Sequence, residues 1–130
     1  MAICDASVLA TALTDDSGVG HRFRARLSDE SVSAPDLIYL EVASACRRQV
    51  RLGSLTIARA REALADLNTY PIREYGHREL VEGCWSLRDS VSIYDAAYVV
   101  LAAALEEPLL TADARLARAA GSLCRVELLQ

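Results

Sequence analysis

Short apolar runs alternate along the chain with longer stretches in which apolar residues recur at helical spacing. The short runs are typical of buried strands, because each is bounded by polar or turn-forming residues and is too short for a helix. Residues 69–75 form either a strand or an extended link, since Pro71 restricts Tyr70 to an extended conformation. The other predicted strands are 2–4, 31–35, 108–111 and 124–128.

The longer stretches predict seven helices. Ser7 is available to cap the first helix, and Pro35 and Asp36 open the third, where the proline fits the first turn and the acid favours the helix dipole. Gly53 ends that third helix. The segment 90–105 is almost entirely apolar, which predicts a buried helix. The predicted helices cover 7–13, 21–27, 35–51, 57–67, 77–87, 90–105 and 113–120.

The order of these elements favours an α/β fold. Short apolar strands that alternate with helices indicate a mostly parallel central sheet of four or five strands, with helices on both faces. The chain has 130 residues, of which 52% are hydrophobic, and this suits one domain with a substantial core. No repeat or linker interrupts the pattern, so residues 1–130 are expected to form a single three-layer α/β/α domain.

Composition excludes several classes of function. All fourteen basic residues are arginine, and neither a P-loop nor a receiver-type acidic pocket can be built without lysine. The cysteines lie in apolar stretches without a CxxC pair, which favours buried free thiols over a zinc site. No membrane-spanning segment or signal peptide is recognisable, so a cytoplasmic protein is expected. The cysteines are Cys4, Cys46, Cys84 and Cys124.

Two of the predicted strands run into an aspartate. Asp5 directly follows the strand 2–4, and Asp113 follows the strand 108–111 after one intervening residue. Ligands of parallel sheets bind beyond the carboxyl ends of the strands, so both side chains are expected to face the same crevice. Aspartate is also common in strand-to-helix turns, and that structural explanation remains open from the sequence.

Glu41 and Asp95 are two further acids in unusual positions. Glu41 lies on the apolar stripe of its helix, where an unpaired charge is costly, so it either pairs with an arginine such as Arg48, lies at the edge of the stripe or serves a site. Asp95 follows Ser92 by three residues, as in a helix cap. Such a cap is compatible with function, because it orients a helix start that can present a carboxylate.

The four acids would require compensation if they met. Two carboxylates about 4 Å apart repel each other by about 4 kcal/mol at an effective dielectric constant of roughly 20. A group of four must therefore take up protons or bind a cation. Carboxylate oxygens and water suit Mg²⁺ or Mn²⁺, and such an ion can activate water for displacement at a phosphodiester.

Four segments of the chain can be read together as family motifs. They are DASVL after the first strand, PDLIYLEVASACRR, SIYDAAYVVLAAAL and PLLTADARLARAA. In this order they resemble the PIN-domain nucleases, specifically the VapC-type toxins of bacterial toxin–antitoxin pairs. The most specific part is YDAAYVVLA followed by LLTAD. The resemblance spans nearly the whole chain and implies a PIN-like fold and a metal-dependent endoribonuclease.

The resemblance also implies roles for individual residues. Asp5 and Asp95 would be the chief metal ligands, directly or through water. The remaining two acids of the family's catalytic and metal-binding quartet would complete the pocket and help to position the attacking water. The whole quartet maps onto Asp5, Glu41, Asp95 and Asp113.

Further features of the family concern the surroundings of the quartet and its partners. Ser7 and Thr111 match small hydroxyl residues that orient carboxylates or bound water. A further acid often follows the fourth one, but here Ala114 and Arg115 occupy those positions. Family membership implies a homodimer and a cognate antitoxin whose C-terminal segment wraps the toxin and blocks the cleft.

RNA must approach an acidic pocket on a protein whose net charge is −4. Arginines are therefore expected around the pocket, although each one taken alone is better explained by an ordinary solvated helix face. The candidates for RNA binding are Arg22, Arg24, Arg26, Arg47, Arg48 and Arg51.

Two other functions remain compatible with the fold. A structure-specific DNA nuclease generally needs added DNA-clamping elements, for which 130 residues leave no room. A non-catalytic PIN module that binds RNA or protein has no reason to retain four mutually repelling acids. A ribonuclease toxin neutralised by an antitoxin is therefore the leading hypothesis.

Overall fold

The fold is built on a five-stranded sheet in which every pair of neighbouring strands is parallel. The computed structural model describes residues 1–130. The strands are β1 (Ala2–Cys4), β2 (Val32–Pro35), β3 (Ile72–Tyr75), β4 (Leu109–Thr111) and β5 (Val126–Leu128), in the spatial order β3-β2-β1-β4-β5. The predicted α/β class and parallel sheet are confirmed, and residues 69–75 do contain a strand.

Seven helices flank the sheet. They are α1 (Ala6–Thr14), α2 (Gly18–Ser28), α3 (Ile38–Arg51), α4 (Ile57–Thr69), α5 (Val81–Ser86), α6 (Ile93–Leu105) and α7 (Ala114–Ala120). Helix α6 packs against β1, β2 and β4, which explains its apolar sequence. None of the helices has the length and the continuous apolar sequence needed to span a bilayer.

The centre of the sheet determines where a ligand can bind. The chain adds strands on one side of β1 as far as β3, and then returns to place β4 on the other side of β1. This reversal of strand order leaves a crevice beyond the carboxyl ends of β1 and β4. Asp5 and Asp113 follow these two strands, so the topology brings the two predicted strand-end acids to the same edge.

Several predicted element boundaries are wrong. The third helix does not open at Pro35 and Asp36, because Pro35 is the last residue of β2 and pairs with Tyr75 of β3. The N–H of Asp36 then donates to the carbonyl oxygen of Tyr75, at 2.9 Å, which keeps the chain extended before the turn into α3. Gly53 follows the end of α3 with a φ of 80°, as predicted for a left-handed terminator.

Two other helices differ from prediction in their extent. Helix α2 begins at Gly18 rather than at residue 21, because the hydroxyl of Ser17 accepts the N–H of Val19 and caps the helix. The single helix predicted over 77–87 is instead a 3₁₀ turn, Arg78–Leu80, followed by the short α5. All four cysteines are free thiols; three are buried, whereas Cys124 is only half-buried.

Candidate active site

A cavity of about 210 Å³ lies beyond the carboxyl ends of β1 and β4. All four predicted acids line it, and they reach it from four different elements: the β1–α1 junction, α3, α6 and the β4–α7 loop. Its other lining residues are mainly small or polar. The lining comprises Asp5, Ala6, Ser7, Glu41, Ser44, Ala45, Arg48, Asp95, Tyr98 and Asp113.

Asp5 is the most enclosed of the four acids, with 5% of its surface exposed. Its Oδ1 accepts the N–H of Val8 at 3.1 Å, so Asp5 rather than Ser7 is the N-cap of α1. The prediction that Ser7 caps the helix is therefore wrong. Ser7 instead donates its hydroxyl hydrogen to the same Oδ1, at 2.6 Å.

Two hydroxyl groups tie Asp5 to the loop that carries Asp113. Thr111 is fully buried, donates to Oδ2 of Asp5 and accepts the N–H of Asp113 at 3.0 Å. The Ser7 hydroxyl accepts the N–H of Ala112 at 2.9 Å. Each hydroxyl thus links the carboxylate after β1 to the backbone after β4, which fixes the orientation of Asp5.

Burial and neighbouring charges act on Asp5 in opposition to its hydrogen bonds. Burial raises the pKa of Asp5, the hydrogen bonds from Ser7, Thr111 and Val8 lower it, and the charge of Asp95 raises it further, with a net increase. The ionised form of Asp5 is therefore destabilised in the cavity, and a nearby cation would stabilise it.

Glu41 projects from α3 into the cavity and is half-buried. The hydroxyl of Tyr98 donates to Oε1 of Glu41 at 2.6 Å, and no arginine forms an ion pair with this carboxylate. Burial raises the pKa of Glu41, and the charges of Asp95 and Asp5 raise it further, as expected for carboxylates that share one cavity. Pairing with Arg48, one of the open alternatives, is therefore not observed.

Asp95 and Asp113 both lie at helix starts. The hydroxyl of Ser92 accepts the backbone N–H of Asp95 at 3.1 Å, so the predicted cap is present and the Asp95 carboxylate lines the cavity. Asp113 caps α7, because its Oδ1 accepts the N–H groups of Arg115 and Leu116 at 2.9 and 3.2 Å. For both acids, the position at a helix start is compatible with a carboxylate that lines the cavity.

The donor set of the cavity bears on which ion it could hold. No three Asp, Glu, His or Cys side chains converge closely enough to form a closed metal site. Mg²⁺ usually retains several waters and is held by one or two carboxylates, so an open acidic cavity suits a partly hydrated ion. The lining contains no histidine or cysteine, so the available ligands are oxygens, which Mg²⁺ and Mn²⁺ prefer.

The six candidate arginines lie on two helices, three on α3 and three on α2. Arg48 lines the cavity and is solvent-exposed, whereas Arg47 and Arg51 are exposed outside it. The three arginines of α2 lie outside the lining and make other contacts. Arg22 donates to the carbonyl oxygen of Gln130, Arg24 to those of Ala12 and Asp15, and Arg26 to the carboxylates of Glu30 and Glu127.

Two polar residues of the cavity, Ser44 and Tyr98, are not among the site residues predicted from the sequence. A signal for both was available, because Ser44 follows Glu41 by three residues and Tyr98 follows Asp95 by three. Residues three apart on a helix lie on the same face. A helix face that presents Glu41 or Asp95 to a site therefore also presents Ser44 or Tyr98.

The chain matches known proteins along most of its length. The family model of the PIN domain matches residues 2–122. Ribonuclease VapC1 of Mycobacterium tuberculosis is 38% identical over 129 residues, which cover 98% of this chain and 97% of that protein. Ribonuclease VapC3 of the same organism is 40% identical over 117 residues, covering 90% of this chain and 85% of that protein. VapC ribonuclease Mb0985 of Mycobacterium bovis is 34% identical over 126 residues, covering 97% of this chain and 96% of that protein.

The fold, the acidic cavity and these similarities agree. The chain belongs to the PIN domain family and, within it, to the VapC ribonucleases.

Proposed function

We propose that this chain is a Mg²⁺- or Mn²⁺-dependent endoribonuclease, the toxin of a toxin–antitoxin pair, which hydrolyses RNA phosphodiester bonds. The observation that carries the proposal is that four acids from four separate elements line one cavity. The names of the similar proteins, which are ribonucleases, support RNA as the substrate. An RNA-cleaving enzyme with no membrane-spanning helix is expected to act in the cytoplasm.

In this proposal the four acids have different roles in binding a divalent ion. Asp5 and Asp95 are the chief ligands in this proposal, directly or through water, and Glu41 and Asp113 complete the set. When bound, the ion would lower the pKa of a coordinated water and neutralise charge that develops on the phosphate.

The side chains of the protein itself prepare the site before RNA arrives. The hydroxyl groups of Ser7 and Thr111 and the N–H of Val8 hold Asp5 in one orientation, so little rearrangement is needed on binding. Asp113 is held by the first turn of α7, and its carboxylate is suited to orient an attacking water beside the phosphate.

Arg48 is the arginine best placed to bind substrate. It lies four residues after Ser44 on the cavity-facing side of α3, exposed and without an ion pair to the acids. In this position its guanidinium can contact an RNA phosphate and offset the repulsion between the RNA backbone and the acidic cavity.

The proposal includes a cognate antitoxin and a homodimer. Large apolar side chains that remain exposed, among them Leu40, Trp85 and Tyr94, provide surface that protein partners could cover. Co-expression with the product of an adjacent small gene, followed by co-purification and by sedimentation of the toxin alone, tests both partners. Failure of the two proteins to co-purify contradicts the antitoxin, and a monomer at all concentrations contradicts the homodimer.

RNA cleavage tests the catalytic part of the proposal. Purified protein is incubated with an end-labelled structured RNA in Mg²⁺, in Mn²⁺ and in EDTA, next to Asp5→Asn and the exposed-site control Asp29→Asn. We expect internal cleavage by the wild type and the control in either metal, and none in EDTA or with Asp5→Asn. Cleavage that persists in both EDTA and Asp5→Asn would exclude the metal-dependent site.

A further inference from the structure

Tyr98 is the largest of the fully buried side chains, yet its hydroxyl reaches the acidic cavity. Only 1% of its surface is exposed, and the ring is enclosed in the core on α6. The hydroxyl donates to Oε1 of Glu41, on α3, at 2.6 Å. The bond thus joins two helices that contribute different acids to the cavity.

We propose that Tyr98 is a positioning residue of the active site, which holds the Glu41 carboxylate at a fixed place relative to Asp95. This inference rests on the proposed function, and it assigns to Tyr98 a role that acts through Glu41. Tyr98 itself has no need to touch RNA.

The Glu41 carboxylate has few restraints other than its bond to Tyr98. Asp5 accepts three hydrogen bonds, from Ser7, Val8 and Thr111. Glu41 has a longer side chain with more rotatable bonds, and its carboxylate accepts a single hydrogen bond, from Tyr98. Loss of this bond would leave the carboxylate free to sample several rotamers, which weakens a site that depends on placement.

Helix α6 carries both Tyr98 and the acid Asp95. Asp95 and Tyr98 are three residues apart on this helix, so both face the cavity. The hydrogen bond from Tyr98 therefore sets the position of Glu41 relative to α6, the helix that carries Asp95. Since α6 is packed against three strands of the sheet, this reference is rigid.

The hydrogen-bond partner of Glu41 carries no charge. A neutral hydroxyl orients the carboxylate without cancelling its negative charge, whereas an arginine partner would compete with a bound cation. The bond engages Oε1 and leaves Oε2 without a protein donor. Tyrosine thus restrains Glu41 while one oxygen stays available for an ion or its water.

The test is Tyr98→Phe, which removes the hydroxyl and retains the ring. Tyr39→Phe is the matched control, because the Tyr39 hydroxyl also donates to a glutamate carboxylate, that of Glu74, but on the surface and away from the cavity. Because the change affects the placement of one acid and no contact to RNA, we expect Tyr98→Phe to lower kcat roughly tenfold or more, with KM for RNA little changed.

Metal binding gives a readout that does not depend on cleavage. Titration of Mn²⁺, followed by electron paramagnetic resonance, is expected to give weaker binding for Tyr98→Phe than for the wild type and Tyr39→Phe. Melting temperatures of the two variants identify any general loss of stability. Equal Mn²⁺ affinity and equal kcat in Tyr98→Phe and wild type would overturn the inference.

A double variant separates action through Glu41 from a general effect on the fold. If Tyr98 acts through Glu41, adding Tyr98→Phe to Glu41→Gln lowers kcat no further than Glu41→Gln alone. Losses that multiply in the double variant would contradict the inference. Absence of cleavage by the wild type itself would instead contradict the proposed function, so the two failures are distinguishable.

Discussion

Thr111 donates its hydroxyl hydrogen to Oδ2 of Asp5 across the neighbouring strands β4 and β1. The same hydroxyl accepts the backbone N–H of Asp113, so one buried oxygen connects two acids of the cavity. Thr111, the last residue of the apolar strand β4, therefore helps to hold Asp5 and the backbone of Asp113 in place.

Thr111→Val is predicted to lower both stability and activity. The isosteric change leaves a buried carboxylate oxygen and a backbone N–H without a partner, which costs roughly 1–3 kcal/mol for each group. Urea unfolding measures the loss of stability, and RNA cleavage measures the loss of activity. Thr14→Val is the control, because the buried Thr14 hydroxyl donates only to the carbonyl oxygen of Ala10. A Thr111→Val protein with wild-type cleavage would contradict the support assigned to Thr111.

The stability of the metal-free protein is predicted to depend on pH through Asp5. Burial raises the pKa of Asp5 in the native state, so the folded protein retains a proton at pH values where the unfolded chain, with a pKa of about 3.9, has lost it. The contribution of Asp5 is therefore most favourable below pH 3.9 or so, and it declines as the pH rises through the raised native pKa.

Urea unfolding in EDTA across this pH range tests the effect, with Asp5→Asn as the reference. We expect the free energy of unfolding of the wild type to fall relative to that of Asp5→Asn as the pH increases. A difference that is constant, or that grows with pH, would show that the native pKa of Asp5 is not raised.

Arg48→Gln is predicted to weaken RNA binding and to leave the chemical step largely intact. Loss of one phosphate contact raises KM and reduces the slope of log affinity against log salt concentration by roughly 1. The matched control is Arg47→Gln, since Arg47 is the adjacent exposed arginine on α3 and lies outside the cavity lining. Equal salt dependence in the two variants would show that Arg48 does not contact an RNA phosphate.

The sequence predicts the strand-end acids well, because their meeting follows from topology alone. A parallel sheet with β1 next to β4 must bring Asp5 and Asp113 to one edge, and short apolar strands are visible as local pattern. Helix caps are harder. Asp5 and Ser7 can both cap α1, and the choice depends on Ala112, a residue from a distant part of the chain whose N–H donates to the Ser7 hydroxyl oxygen.

The hydrogen-bond partner of Glu41 does not follow from strand order or from local sequence pattern. Tyr98 lies 57 residues away in the sequence, and only the packing of α3 and α6 around one cavity brings the two together. The observed start of α3 differs from the predicted one for a related reason, since the pairing of Pro35 with Tyr75 of β3 overrides the local preference of proline for a helix start.

The most direct test of the central claim measures bound Mn²⁺ and RNA cleavage in the same samples. Wild type, Asp95→Asn and Asp29→Asn are titrated with Mn²⁺, with bound metal read by electron paramagnetic resonance and cleavage read from an end-labelled RNA. We predict that binding and cleavage rise together in the wild type and Asp29→Asn, and that both are strongly reduced in Asp95→Asn. Cleavage by samples that hold no bound metal, or undiminished cleavage by Asp95→Asn, would contradict a metal-dependent ribonuclease site at this cavity.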